Sequence, residues 1–170
     1  MLRVVAYVCA LLALAHGQTT NVQTCTYHSG PLPINAFIEG CVDPPCIFPQ
    51  NTYAVINVIF RAPRTIHTMT THATAFMLFP ILYPLGEARH TCNYLTNTYC
   101  PLVQDEIVQY TLQMFIQPSF PVGTSLPVEF RITDGTNTSL MCIRVPLTIA
   151  PPLPALSDDV SARNVTHVQS

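Results

Sequence analysis

The stretch that most restricts the fold is residues 137–149, NTSLMCIRVPLTI, where apolar side chains alternate without a break. Met141, Ile143, Val145, Leu147 and Ile149 fall on one side of an extended chain, and Leu140, Cys142, Arg144, Pro146 and Thr148 on the other. Successive side chains of an extended backbone point to opposite faces, so this period of two specifies a strand with one buried face. Cys142 lies opposite the apolar row and can reach a partner without disturbing a core. Asn137-Thr138-Ser139, just before the strand, is a glycosylation acceptor, which places that turn at the surface.

Other segments repeat the pattern. Residues 107–116 set Val108, Tyr110, Leu112, Met114 and Ile116 inward, with Gln109, Thr111 and Gln113 outward. Residues 126–133 set Leu126, Val128, Phe130 and Ile132 inward, with Glu129 and Arg131 outward, and Asp134-Gly135 turns into the organising strand. Residues 52–61 alternate as well, but both rows are rather apolar, so the pattern leaves their core face open. Strands are also expected at 25–28, 34–38 and 68–79, with residues 40–49 (GCVDPPCIFP) as a rigid loop and 85–101 as a loop with little pattern. No run of ten or more residues has a helical period. The expectation is an all-β sandwich of seven or so strands separated by Pro and Gly turns.

Residues 2–15 form an apolar run behind Arg3, followed by Ala15-His16-Gly17. Small residues at the −3 and −1 positions make residues 1–17 a secretory signal peptide, with the mature chain starting at Gln18. The run is too short to span a bilayer, which takes about 20 apolar residues. Residues 18–150 then suffice for one domain, and 151–170, Pro-rich and then polar, form a flexible tail with a second acceptor site at Asn164. The protein is expected to be secreted or lysosomal. Every basic residue is Arg, and without Arg3 six of them face nine acids, a net charge of −3. No basic run offers a nucleic-acid footprint, and the absence of Lys removes Schiff-base chemistry. The chain is 49% hydrophobic and only 9% charged, against about 25% charged in ordinary domains. Such a composition goes either into an unusually apolar interior or into apolar surface kept for a partner.

Six cysteines follow the signal peptide, which in an oxidising compartment reads as three disulfides among 15 possible pairings. Cys41 with Cys46, and Cys92 with Cys100, can each close a small loop, which leaves Cys25 for Cys142. Neither close pair has the C-x2-C spacing of a zinc site, so no metal is expected. A search for catalytic patterns finds none: His28, His67, His72, His90 and His167 have no ligand spacing, and Glu87, Asp105, Glu106 and Glu129 are scattered on loops or outward positions. Apolar matter instead occupies turns that ought to be polar, at residues 79–85 (FPILYPL) and 115–121 (FIQPSFP). Folded over the open end of a sandwich, these turns would form the mouth of an apolar pocket.

One order of landmarks runs through the chain: Cys25, then Cys41-x4-Cys46 amid prolines, Asn57-Val58-Ile59-Phe60, and the Pro-aromatic-Pro stretch before Cys92. Cys100-Pro101, Phe120-Pro121 and the run from Asn137 through Cys142 to Pro146 complete it. In this it resembles the ML (MD-2-related lipid-recognition) domain family, and within it the Niemann-Pick type-C-two, or epididymal secretory, sterol carriers. The resemblance implies an immunoglobulin-like sandwich of two antiparallel sheets prised apart around one lipid, no catalysis, no cofactor beyond that lipid, and the three pairings given above. Carried over by position, it implies lipid contacts at Ile38, Phe48, Tyr83, Met114, Phe115, Ile116, Phe120, Pro121, Phe130 and Ile143. Two positions that hold Trp in the vertebrate carriers are Phe130 and Ile143 here. The Cys92–Cys100 loop is longer by two, the sequon at Asn57 is lost to Ile59, and the tail is extra. Without Lys the chain also lacks the basic surface by which some relatives dock to membranes. These features are similar to those of arthropod members, which carry fatty acids or other small hydrophobic molecules. The expected function is a secreted monomer that binds and transfers one sterol, fatty acid or similar lipid, with transient contact to a membrane or acceptor protein. The alternative, from another class, is an extracellular lipid-recognition module of innate immunity that presents lipid to a receptor without transferring it.

Overall fold

The computed structural model describes residues 18–154; the expected signal peptide and Asn164 lie outside them. Among these described residues, eight strands form two sheets. The smaller joins β1 (Asn35–Ile38), β3 (Tyr53–Arg61) and β6 (Ile107–Phe115) in the order β1-β3-β6. The larger joins β2 (Cys46–Pro49), β4 (Met69–Phe76), β5 (Pro80–Tyr83), β7 (Ser125–Asp134) and β8 (Ser139–Ala150) in the order β2-β8-β7-β4-β5. All pairings are antiparallel except β2 with β8. Among the described residues no helix is long and apolar enough to cross a membrane.

The core is built from the rows that alternation marks. Val108, Tyr110, Leu112 and Met114 of β6 and Met141, Ile143, Val145, Leu147 and Ile149 of β8 are all buried. The ambiguity in β3 is resolved by packing: Ala54, Ile56, Val58 and Phe60 face the core, and Tyr53 and Arg61 are exposed. Between β4 and β6 the gap is closed by residues 86–94, two short 3-10 turns. There the Thr71 and Thr91 hydroxyls lie 2.8 Å apart, and the Thr71 hydroxyl donates to the Tyr110 hydroxyl at 2.9 Å. A buried hydroxyl would be costly unpaired, so this chain of bonds lets polar groups bridge the two sheets.

Three expectations are corrected. Residues 46–49, expected as loop, add a strand, because the Cys41–Cys46 bridge lays them in register along β8, with Phe48 opposite Ile149. The expected strand at 68–79 ends at Phe76, and Pro80–Tyr83 turn back as β5 on its edge. Residues 25–28 form no strand. They belong to a strap, residues 21–31, that crosses the outer face of β7 and β8. It is held by the Cys25–Cys142 disulfide, by reciprocal backbone bonds between Gln23 and Arg144, and by Cys142 N–H donating to Pro31. Gly30 lies so close to β8 that a Cβ there would meet Ser139 Oγ at 2.5 Å.

Beneath the strap lies Glu129, outward from the core as its alternation requires yet fully buried. The N–H groups of Thr26, Tyr27 and His28 donate to its carboxylate at 2.7, 3.0 and 2.9 Å. His28 Nδ1 and Arg144 Nη1 each approach it to 2.9 Å. Strap donors that a ladder would use thus converge on one carboxylate, which is why residues 25–28 are not a strand. The Arg144 guanidinium also sits 5.0 Å from the centre of the Phe76 ring, a cation–π contact. Burial alone would raise the Glu129 pKa, but the three backbone donors and His28 outweigh it and hold the acid at about 2.

Candidate functional site

At one end the two sheets part. The β6–β7 loop, the β4–β5 hairpin and the ends of β2 and β8 enclose a cavity of about 260 Å³. Its floor and walls extend the core rows: Phe48 from β2, Ala75 from β4, Met114 from β6, Val128 from β7, and Leu147 and Ile149 from β8. Its rim comes from the two greasy turns, with Ile81, Leu82 and Tyr83 on one side and Gln117, Phe120 and Pro121 on the other. Small molecules commonly occupy pockets of about 300–1,000 Å³. At about 260 Å³ the present shape suits one acyl chain or a compact apolar molecule, and a rigid polycyclic ligand would need the sheets to part further.

Few polar groups serve this cavity, and they are engaged. The Tyr83 hydroxyl donates to the Phe115 carbonyl at 2.8 Å, latching the hairpin to the end of β6. The Tyr83 and Phe120 rings stand 5.7 Å apart across the opening. Burial raises the Tyr83 pKa, with a bond from Gln117 opposing, so the phenol stays protonated and able to donate. Buried Gln50 donates through Nε2 to the carbonyls of Pro118 and Phe120, holding the rim loop. Apart from the Tyr83 phenol, no titratable side chain lines the cavity. Its chemistry is apolar burial, with the Tyr83 phenol, the Gln117 amide and the Thr124 hydroxyl at the edge.

Of the ten candidate contacts, the structure brings Phe48, Tyr83, Met114, Ile116, Phe120 and Pro121 together around the cavity. Ile38, Phe130 and Ile143 are buried in the core beyond it, the last two directly opposite one another on β7 and β8. Phe115 points out from β6, 37% exposed, with its ring 5.2 Å from that of Tyr53, and reaches the site only through its carbonyl. Lining residues outside those ten include Met77, Ile81, Leu82, Val128, Leu147 and Ile149, of which Ile81 and Leu82 lie in the apolar turn expected at the mouth. Alternation had marked three of these as inward, but only the parting of the sheets separates cavity wall from sealed core.

All three expected disulfides are present: Cys25–Cys142, Cys41–Cys46 and Cys92–Cys100. Glu129 lies near Cys25 and Cys142, but those sulfurs are bonded to each other and offer no thiolate to a metal. Asn137 is exposed in the β7–β8 turn at φ 62°.

In overall shape the chain is similar to a Niemann-Pick type C2 protein from the Japanese carpenter ant. The TM-score is 0.64 at 18% identity, over 75% of this chain and 98% of that one. Chicken MD-1, solved in complex with lipid IVa, aligns with a TM-score of 0.45 at 10% identity, over 74% of this chain and 85% of that one. No curated protein matches the sequence. The family model for the ML domain matches residues 19–149, and the chain belongs to that family.

Proposed function

We propose that the protein is a secreted, non-catalytic carrier that takes one small hydrophobic lipid, a fatty acid or comparable molecule, into the cavity between its sheets and transfers it. The observation that carries this reading is the cavity itself: an apolar space continuous with the core, rimmed by loops that hold Phe120, Pro121 and Tyr83. Membership of the ML-domain family supports lipid as the ligand class. Burying apolar surface gains about 25 cal/mol per Å², so an acyl chain needs no charged partner to be held. The Tyr83 phenol and the Gln117 amide at the rim are placed to meet a polar head. A signal peptide at residues 1–17 and glycans at Asn137 and Asn164 belong to the same proposal.

Mass spectrometry of an organic extract of the protein, secreted from cells of its own host, tests it. A fatty acid or similar lipid at near one-to-one ratio is the expected result. A protein that comes out empty and also fails to bind added fluorescent fatty acid overturns the reading.

A further inference from the structure

Among the described residues, the outer face and the edge of the larger sheet hold two arginines, Arg131 and Arg89, with no acidic partner. The strand register sets His72 of β4 directly opposite Arg131 of β7, with Thr70 opposite Thr133. Side chains so placed stand about 5 Å apart on one face. The Nε of Arg131 is buried and has no hydrogen-bond acceptor, whereas nearly all buried donors find one.

Past Tyr83 the chain leaves the edge of β4 and returns to it at His90, which bridges to Thr70. The space between is a groove of about 640 Å³ whose walls include Thr70, Thr71, His72, Glu87, Arg89 and His90. Leu82, Tyr83 and Pro84 line both this groove and the lipid cavity. Arg131 is the strand partner of its wall residue His72.

His72 can add a third positive charge. Its Nε2 lies 3.1 Å from the Thr133 hydroxyl, which itself donates to the Thr70 carbonyl at 3.5 Å. That hydroxyl therefore accepts from Nε2–H, and Nδ1 is the nitrogen left to take a proton. Burial lowers the His72 pKa, and Arg131, His28 and Arg89 lower it further, so the charges that reach the ring are basic ones. The neighbouring acids do not offset them. Glu129, opposite Thr74, is taken by His28 and Arg144, and exposed Glu87 forms no salt bridge among the described residues. A guanidinium fork, an imidazolium and threonine hydroxyls together offer donors to several oxygens of one centre, the arrangement that phosphate or sulfate requires.

We propose that Arg131, His72 and Arg89 hold a phosphate- or sulfate-type oxyanion in this groove, at a site separate from the lipid cavity. The site goes beyond the carrier reading and stands whether or not that reading holds.

Sulfate is the first probe, because its charge is constant where histidine titrates, about pH 5–8. The full secreted chain is titrated with sodium sulfate, and with sodium chloride at equal ionic strength, while NMR follows the His72 imidazole. A saturable shift with sulfate alone is expected, with the His72 pKa rising as the site fills and affinity growing as pH falls. Arg131→Gln and, separately, Arg89→Gln should each weaken sulfate binding about tenfold or more. Arg89 is exposed, so its variant reports on the site without disturbing the fold. Both variants should bind fluorescent fatty acid as the parent does, because neither residue lines the cavity. Resonances that follow ionic strength alone, a His72 pKa that sulfate leaves in place, or variants that bind sulfate undiminished would each overturn the proposal. Inorganic phosphate and glycerol phosphate then separate the sources. Tighter binding of the ester supports an anion carried on a larger molecule, and equal or weaker binding supports the free ion.

Discussion

Glu129 has the most consequential environment of any single side chain here. A carboxylate taken out of water is tolerated only when its oxygens are fully engaged, and three N–H groups, His28 and Arg144 do this. Its folded pKa of about 2 lies below the ordinary 4.5, so the folded state releases this proton more readily than the unfolded chain. The stabilisation is complete above about pH 4.5 and is lost as pH falls through about 2; it is on the order of 3 kcal/mol. Asp134, lowered to about 2, adds to the same acid limb: burial opposes, but bonds from Thr136, Arg64 and the Thr138 and Thr136 N–H groups prevail. Glu129→Gln keeps the shape and removes the charge, leaving Arg144 facing a neutral amide. It should cost about 3–5 kcal/mol at neutral pH and make the urea midpoint less steep with pH between about 4.5 and 2. A variant whose midpoint tracks pH as steeply as the parent's would assign that proton uptake to another group.

The β4–β5 hairpin is the element on which the site depends most. It begins in a buried strand and ends as four residues at the sheet edge, tied across the gap by one phenol-to-carbonyl bond from Tyr83 to Phe115. A lone neutral bond is worth about 0.5–1.5 kcal/mol. Tyr83→Phe should therefore leave the melting temperature nearly unchanged while loosening the hairpin. Release of bound fatty acid, followed by stopped-flow fluorescence, should quicken severalfold. An unchanged release rate would mean that ligand leaves by another route than between hairpin and rim loop.

Across the whole molecule, two features divide the work. The Cys25–Cys142 bridge spans 117 residues and fastens the strap over β8. In the chain-entropy model a loop of this length contributes about 4–5 kcal/mol. Replacing both cysteines with Ala should lower stability by about that much in denaturant titration, far more than the same change at Cys41 and Cys46, which close a span of five. The cavity is the converse feature, space that a tighter core would fill. Met114→Trp places a larger ring on its wall and should weaken fatty-acid binding at least tenfold, with stability held or raised. Equilibrium fluorescence titration checks this, and undiminished affinity would move the ligand out of the cavity.

What residue order determined by itself is everything that depends on local periodicity and covalent reach. The β6 and β8 rows, the all-β class, the bridges of Cys41 with Cys46 and Cys92 with Cys100, and the apolar turns at 79–85 and 115–121 were all legible. Each follows from side chains that alternate or sit close along the chain. Tertiary structure decided what depends on partners distant in sequence. Glu129 reads as an outward, solvated acid, and only the strap, a hundred residues earlier, makes it buried. Phe48 reads as loop until β8 offers it an edge. Ile143 and Ile149 lie on one row of one strand, yet one is sealed core and the other cavity wall, because the sheets part only at the end where β8 finishes. A period of two says which face a side chain takes; how far apart two sheets stand at that point is set by all the side chains between them.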